Sequence, residues 1–337
     1  MINFLYTSPK PKLDGTDAVV NEINSLQTSF GGFQDSLFPL KNPSSKYPRF
    51  LFGLHSLKGI LEAEKKAKYN HIFSSGLFYM PFIHALKKPT FLSLTAGINN
   101  TFKPPSKKYL SNFKSIVVSN ERDFKILQNL GLRNISLIRT GINTSKFESS
   151  EVPLQKNLNL LMASAPWEIS QFESKGIHLL LDMLKNTTGI KLTFLWRNVL
   201  PTHMIKLIEE YGVQNKVQFI NRFVDTNQYF KKVHGTILLC NDSQVVKAYP
   251  HSLIESLITS KPVIVSNEIP IADYIQNNKC GVVLDSFEKD KLHASIENFK
   301  NNYSDYTKAC KKLNKDSFSQ ERLIEDYKKL YKNIYAL

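Results

Sequence analysis

The sequence predicts a two-domain α/β protein, and three observations lead to this prediction. The chain has 337 residues, which is more than one hydrophobic core usually serves. Short apolar, β-branched runs alternate with amphipathic stretches from end to end, a pattern typical of parallel α/β layers. Glu, Ser and Pro interrupt this pattern at residues 147–156. We therefore expect two Rossmann-like domains facing a cleft, the first over residues 1–148 and the second over 149–318.

The first half contains five strand candidates and two clear helix candidates. Helices are expected over 16–30, after the Asp14-Gly15 turn, and over 122–130, which ends at Gly131. The uncharged run 71–86 is too short to cross a bilayer and predicts a buried strand followed by a helix. The expected strands are Ile2–Thr7, His71–Ser74, Thr90–Leu94, Ser115–Ser119 and Ile135–Arg139.

The second half repeats this plan with six strands and five helices. The expected strands are Leu158–Met162, Lys191–Trp196, Val217–Ile220, Thr236–Leu239, Pro262–Ser266 and Val282–Leu284. The expected helices are 176–184, 201–211, 227–233, 251–258 and 271–277, followed by a helical tail from Lys289. Ligands of open parallel sheets bind at the carboxyl ends of the strands, so the loops after the strands are the places to look for a site.

The last segment, 319–337, predicts a helix with one strongly apolar face. Leu323, Tyr327, Leu330 and Ile334 recur at helical spacing along that face, which must therefore be buried. We expect this helix to cross back to the first domain and pack at the domain junction. A terminal helix packed only on the second domain is the alternative.

The net charge of +15 is concentrated in the first half. Residues 1–150 hold 20 basic and 9 acidic residues, and within 41–114 only Glu62 and Glu64 oppose 13 basic residues. Such an excess favours an anionic partner, namely a phospholipid surface, a lipid phosphate or a nucleic acid. A lysine-rich solvated surface is the plain alternative. The cluster Lys41, Lys46, Arg49, Phe50 and Phe52 leads to the hypothesis of peripheral attachment to an anionic membrane.

Other features point to a cytoplasmic protein, with attachment at the inner face of the membrane as an option. The N-terminal residues lack the basic and apolar regions of a signal peptide. Cys240, Cys280 and Cys310 are odd in number and lack metal-ligand spacing, so we expect reduced thiols. No phosphate-binding P-loop, nucleophile elbow or zinc cluster is present in the sequence.

The most informative stretch runs from Lys247 to Asp273. A strand is expected to end in a polar loop, and a helix to start near Pro250. The first turn of that helix would offer the unpaired backbone N–H groups of His251, Ser252 and Leu253 to a diphosphate, which the helix dipole also favours. Glu255 lies about one turn further on, where its carboxylate would accept hydrogen bonds from sugar or ribose hydroxyls.

This stretch resembles the donor-binding signature of family 4 and related retaining glycosyltransferases, which have the GT-B fold. Glu255 matches the glutamate that holds the nucleotide ribose, and Tyr249-Pro250 matches the preceding aromatic and small-residue pair. Lys247 stands where the resemblance expects a glutamate for the donor sugar. A cation cannot accept hydroxyl protons, so Lys247 would contact a donor carboxylate or phosphate, or turn away from the site.

Further residues of the predicted donor site lie upstream. Lys175-Gly176 resembles the Lys-Gly opening of the first donor-domain helix, where a fixed ammonium would stabilise the departing diphosphate. The arginine that the family places before this lysine is missing, and Ser164 and Trp167 occupy that loop. Arg197 and Arg222 follow two strands and are the candidates to replace it. Gly15 and Thr16 follow the first strand and would let the backbone approach a diphosphate.

The resemblance implies a glycosyltransferase that moves a sugar from a nucleotide-sugar to a glycan or lipid-linked acceptor. It implies a retaining reaction that needs no metal and no cofactor, and the sequence does not separate UDP from GDP donors. Lys175, Arg197 and Lys247 are the expected catalytic cations. A catalytically silent sugar-nucleotide or glycan-binding protein with the same fold is the alternative, and Lys247 favours it. Nucleic-acid binding lacks any recognisable reading motif.

Overall fold

A computed structural model describes residues 1–39, 48–98 and 103–332 of the chain. The chain divides into two compact units. The first unit contains Met1–Pro11, Asp17–Gly141 and the C-terminal segment from Ser317, and the second contains Lys12–Thr16 and Ile142–Asp316. Each unit holds one six-stranded, all-parallel sheet. The prediction of two Rossmann-like α/β domains is confirmed.

The sheet of the first unit has the strand order β2-β1-β3-β4-β5-β6. Its central strands are buried on both faces, as expected for a parallel sheet covered by helices. The strands are β1 (Ile2–Tyr6), β2 (Gly32–Ser36), β3 (Tyr69–Ser74), β4 (Thr90–Leu94), β5 (Ser115–Val118) and β6 (Ile135–Leu137). The helices are α1 (Ala18–Phe30), α2 (Leu57–Lys66), α3 (Lys107–Leu110) and α4 (Glu121–Asn129).

The sheet of the second unit has the order β12-β11-β10-β7-β8-β9, which is the doubly wound order of Rossmann folds. The strands are β7 (Leu158–Met162), β8 (Ile190–Leu195), β9 (Val217–Ile220), β10 (Gly235–Leu238), β11 (Val263–Ser266) and β12 (Gly281–Leu284). The helices are α5 (Ser170–Ser174), α6 (Ile177–Asn186), α7 (Pro201–Glu210), α8 (Thr226–Phe230), α9 (His251–Ile258), α10 (Ile271–Asn278), α11 (Lys289–Asn301) and α12 (Tyr303–Lys311).

The C-terminal helix, α13 (Gln320–Lys332), returns to the first unit. Leu323, Tyr327 and Tyr331 are buried in one apolar cluster with Phe4 and Phe91 of the sheet. The predicted return of the helix to the first domain is therefore confirmed, and the predicted residues beyond 332 lie outside the described part of the chain.

A buried hydrogen-bond network connects α13 to strands β3 and β4. The His71 ring bonds the Tyr331 hydroxyl through Nδ1 at 2.6 Å and Ser93 Oγ through Nε2 at 2.8 Å. Ser93 Oγ also bonds the Tyr327 hydroxyl at 2.9 Å. Burial lowers the pKa of His71 to about 3, so the ring is neutral at physiological pH. The network thus satisfies two tyrosine hydroxyls that would otherwise be buried without partners.

Most predicted elements are present, one predicted helix is not, and the strand β2 and the helices α2, α3 and α5 were not expected. Strand β2 was not expected, because its sequence Gly-Phe-Gln-Asp-Ser carries too few apolar residues for an edge strand to be recognised. The predicted helix at the end of the run 71–86 is a short 3-10 turn, Pro81–Ala85. The short helix α5 was also missed. Five residues give too little periodicity for a helix to be detected.

Two sequence-based expectations concern membrane spans and thiols. Across the described ranges, no helix combines the length and the apolar character that a bilayer crossing requires. Cys240, Cys280 and Cys310 are free thiols in the interior, as expected.

Candidate active site of the second unit

The site lies where the strand order of the second sheet reverses. Strands β7 and β10 are neighbours, but the chain leaves them towards opposite edges of the sheet. At such a switch point the loops diverge at the carboxyl ends of the strands and leave a crevice for a ligand. The loop after β7 carries Ser164, Ala165 and Trp167, and the loop after β10 leads to Lys247 and α9. The topology thus brings most of the predicted site residues to one edge.

Lys175 lies in the interior, between α5 and α6. Its side chain is enclosed, with the residue only 2% exposed. Its Nζ donates to Ser164 Oγ at 3.2 Å and to the Ala165 carbonyl oxygen at 3.3 Å. Burial, with a further contribution from Arg197, lowers the pKa of Lys175 to about 7. An anion bound beside it would restore its positive charge.

Gly176 makes the tight junction between α5 and α6 that holds Lys175 in place. Its φ of +65° lies in the left-handed region that side chains disfavour. A Cβ atom at this position would also lie 2.8 Å from Phe287 Cζ and 3.0 Å from Leu239 Cβ. The glycine of the Lys-Gly pair is therefore a structural requirement of this junction as well as part of a sequence motif.

Arg197 reaches the same point from the end of β8. Its Nη2 donates to the Ala165 carbonyl oxygen at 2.8 Å, so Arg197 and Lys175 share one acceptor. Its guanidinium carbon lies 3.9 Å from the centroid of the Trp167 ring, in cation–π contact. The structure thus places Arg197 beside Lys175, as the hypothesis of a replacement arginine requires. Two cations held by one neutral carbonyl form a site that favours a multiply charged anion.

The amino end of α9 differs from the prediction in one respect. The Leu253 N–H donates to the Pro250 carbonyl at 3.1 Å, so it is not available to a ligand as expected. Pro250 precedes the helix in extended conformation, and its carbonyl accepts from Ile254 as well. In the part of the chain that the structure describes, the N–H groups of His251 and Ser252 have no protein acceptor. Two backbone donors, and not three, remain for a ligand.

Lys247 lies against this helix end. Its Nζ is 3.3 Å from Nε2 of His251. Burial and the neighbouring Lys247 hold the pKa of His251 well below its usual range, so the imidazole is neutral and its Nε2 accepts from the ammonium. Lys247 therefore adds positive charge near the first turn of α9. In the structure, Lys247 does not turn away from this helix.

Glu255 is half-buried on α9, next to the start of α8. Burial, and to a smaller extent the nearby Asp225, raise its pKa to about 7 against a hydrogen bond from Thr226 that lowers it. The carboxyl group is thus an acceptor that a ligand hydroxyl would stabilise in its ionised form. Tyr249 and Pro250 are buried, so this pair shapes the loop before α9 and does not present polar groups.

The remaining predicted residues lie in two further places. Gly15 belongs to the segment that clusters with the second unit, and a Cβ atom added to it would lie 3.0 Å from Phe223 Cε2. Thr16 Oγ1 donates to the Leu13 carbonyl and closes that turn. Arg222 is exposed at the end of the edge strand β9 and lines a surface cavity with Gln228, Tyr229 and Lys232. That cavity contains neither Lys175 nor Glu255.

Two functional groups escaped the sequence analysis. The Ala165 carbonyl accepts hydrogen bonds from both cations, but a backbone acceptor cannot be recognised from the residue type. Thr226 contacts Glu255, and only the turn signal Asp225-Thr226 at the start of α8 marked it. Within the described ranges, no group of three His, Cys, Asp or Glu side chains is arranged to hold a metal ion.

Comparison with known proteins relates part of the second unit to a family and the whole chain to a fold. Residues 169–318 match the family model described as glycosyl transferases group 1. A search of curated proteins found no match. Among solved structures, sucrose-phosphate synthase from Thermosynechococcus elongatus has a TM-score of 0.70 at 12% identity, over 100% of this chain and 99% of that chain.

Two other solved structures are similar over nearly their whole length. HepE from Anabaena, in complex with UDP, has a TM-score of 0.68 at 12% identity and covers 100% of both chains. A glycosyltransferase from Rickettsia africae ESF-5 has a TM-score of 0.67 at 17% identity, over 99% of this chain and 98% of that chain. At these identities the likeness shows the GT-B fold. Together with the family match, it identifies the chain as a glycosyltransferase with a glycosyl transferases group 1 domain.

Proposed function

We propose that this glycosyltransferase binds a nucleotide-diphosphate sugar at the switch point of its second unit and transfers the sugar to a glycan or lipid-linked acceptor. The observation that carries this proposal is the convergence of Lys175 and Arg197 on the Ala165 carbonyl. Two cations at the carboxyl ends of the strands suit a diphosphate, which carries more charge than one ammonium neutralises. The UDP bound to the structurally similar HepE supports this choice of ligand class.

The proposed binding mode assigns one role to each part of the site. The diphosphate lies against Lys175 and Arg197, with the His251 and Ser252 N–H groups of α9 as further donors. Lys247 adds charge at that helix end, and Glu255 accepts hydrogen bonds from the ribose. Gly15 and Thr16 would approach the donor from their turn. Arg222 follows the edge strand β9, and we assign it a peripheral electrostatic role.

In the proposed reaction the bond between the sugar carbon and the diphosphate oxygen breaks. The electron pair stays on that oxygen, where the cations stabilise the developing charge without a metal or a cofactor. An acceptor hydroxyl forms the new bond, and its proton passes to the departing phosphate. This route retains the anomeric configuration, because the acceptor attacks from the face that the diphosphate leaves.

A thermal-shift screen against UDP-, GDP- and ADP-sugars tests donor binding. A ligand that binds only the folded protein raises the melting temperature. Lys175→Ala and Glu255→Ala should each abolish the shift, whereas Lys206→Ala, which removes an exposed lysine of α7, should preserve it. An equal shift in all variants would contradict the placement of the donor site at Lys175 and Glu255.

A turnover assay with the same panel separates catalysis from silent binding. Release of nucleotide together with transfer of the sugar to a glycan or lipid-linked acceptor would support an enzyme. Binding without turnover would support the alternative of a catalytically silent binding protein, which Lys247 favours. The anomeric configuration of the product, followed by NMR, tests retention. Activity that disappears with EDTA and returns with a divalent cation would contradict the metal-independent route.

We further propose that the first unit attaches to anionic membranes through exposed apolar side chains beside basic ones. Phe50 is 51% exposed, and Arg49 lies over the Phe78 ring. Phe52, in contrast, is 4% exposed and packs in the core, so it cannot insert into lipid as the cluster hypothesis required. Lys41 and Lys46 lie outside the described residues.

Vesicle sedimentation tests this attachment. Vesicles containing phosphatidylglycerol should retain the protein better than pure phosphatidylcholine, and Phe50→Ser should weaken retention. Ile205→Ser, which removes a comparably exposed apolar side chain from the second unit, serves as the control. Equal retention on both lipids would exclude an anionic membrane partner.

A further inference from the structure

The loop after β8, which begins at Arg197, has an unusual backbone conformation. Asn198 and Leu200 both adopt left-handed backbone conformations, with φ of 59° and 48°. Such conformations cost free energy in residues other than glycine and persist only where the surrounding structure holds them. Here the Asn198 N–H donates to the Asn221 side chain at 2.8 Å, and the Trp196 indole donates to the Val199 carbonyl. The backbone of this loop is therefore held before any ligand arrives.

The Arg197 side chain needs a second constraint, because it has four rotatable bonds beyond this backbone. Trp167 supplies a flat surface 3.9 Å from the guanidinium carbon. The backbone N–H of Trp167 in turn donates to the Gln171 side chain of α5 at 2.9 Å, which ties the loop to the helix that precedes Lys175. The Trp167 ring thus lies against the guanidinium, while Nη2 still donates to the Ala165 carbonyl.

We propose that Trp167 is a positioning residue that holds the Arg197 guanidinium beside Lys175, so that both cations meet the diphosphate of the donor together. This inference rests on the proposed function. Without the contact with Trp167, the Arg197 side chain would lose its rotational freedom only when the ligand binds. That entropic cost would weaken the affinity for the ligand. Trp167 touches neither the sugar nor the reacting atoms in this scheme and acts only through Arg197.

Binding of UDP, GDP and ADP by isothermal titration calorimetry tests the inference, with the matching nucleosides alongside. In Trp167→Leu the diphosphate that binds the wild type should lose about tenfold in affinity, the range expected for a partly desolvated cation–π pair. Affinity for the matching nucleoside should not change. Trp167→Phe, which keeps an aromatic face, should recover most of the loss. Phe78→Leu removes the cation–π partner of Arg49 and is the control that should leave binding unchanged.

A double-mutant cycle distinguishes positioning from a general structural role. If Trp167 acts through Arg197, adding Trp167→Leu to Arg197→Ala should cause no further loss of affinity. Additive losses, or a loss of nucleoside binding as well, would overturn the positioning role. If the folded wild type binds none of the three diphosphates, the proposed function itself fails and this inference fails with it. Wild-type binding that Arg197→Ala abolishes but Trp167→Leu preserves overturns the inference alone.

The pH dependence of binding supplies an independent readout. The groups that face Lys175 are Arg197, the Cys240 thiol and the Ser164 hydroxyl. Burial raises the pKa of Cys240 to about 11, so the thiol stays neutral in the tested range. Arg197 lowers the pKa of Lys175, so loosening Arg197 should move the fall of diphosphate affinity to higher pH. An unchanged pH profile in Trp167→Leu would contradict the inference.

Discussion

The affinity for a nucleoside diphosphate should fall steeply at alkaline pH because of Lys175. Burial and Arg197 lower the pKa of this lysine from 10.5 to about 7 in the free protein. A bound diphosphate favours the ammonium and raises that pKa again. Above the free-protein value, binding must therefore take up a proton. The dissociation constant should increase about tenfold for each pH unit in that range, because one pKa unit corresponds to about 1.4 kcal/mol.

The range from pH 8 to 9.5 isolates this effect. Burial raises the pKa of Glu255 to about 7, so this carboxyl is mostly ionised above pH 8. Its charge therefore changes little over the range, and its effect on the affinity is nearly constant. His251 is neutral throughout, since its pKa lies well below the usual range. The diphosphate itself is fully ionised there. Lys175 is thus the site residue whose titration should dominate the slope.

Calorimetric titration of UDP, GDP and ADP at pH 8, 8.5, 9 and 9.5 measures the slope. Lys175→Met should bind more weakly at pH 8 and show little further change, because methionine has an unbranched side chain only one atom shorter than lysine and does not titrate. Lys206→Met, in an exposed lysine of α7, should keep the wild-type slope. A flat profile in the wild type, or the same slope in Lys175→Met, would show that Lys175 does not control the pH dependence of binding.

Three further predictions concern stability. Tyr331→Phe removes the hydroxyl that lies 2.6 Å from His71 Nδ1, and urea denaturation should show a loss of about 1–3 kcal/mol because a buried polar atom loses its partner. Gly176→Ala should lower the melting temperature more than Gly212→Ala, because both glycines have left-handed φ but only the first would bring a Cβ within 3 Å of other atoms. Lys261 is buried, with no hydrogen-bond partner for its Nζ in the described ranges. Lys261→Met should therefore stabilise the protein by about 1–3 kcal/mol in urea denaturation at pH 7, and a loss of stability would contradict this.

Much of the fold was predictable because the strands of the second unit are short, apolar and clearly bounded. All six were expected within one or two residues of their observed limits. Strand β2 was not expected, because an edge strand needs little apolar content to pair with β1. Helix α5 was not expected either, because its position depends on the junction at Gly176 and not on an apolar periodicity of its own.

The site was predictable to the extent that it follows from strand order. Lys175 and Arg197 meet because the loops that hold them follow the adjacent strands β7 and β8. Arg222 follows the outermost strand β9 and lines a different cavity, which its position after a strand does not reveal. The Leu253 N–H was assigned wrongly, because a local turn at Pro250 satisfies it. Such turns depend on backbone angles that residue types specify only weakly.

The return of α13 has a consequence for how the protein emerges from the ribosome. The sheet of the first unit is synthesised early, yet the helix that covers one of its faces is made after the entire second unit. The second unit can thus fold before the first unit is complete. Until α13 is synthesised, the sheet of the first unit keeps an exposed apolar surface to which chaperones can bind. Expression of residues 1–150 alone should yield an aggregation-prone fragment, and co-expression of the missing helix as a separate peptide should improve its recovery.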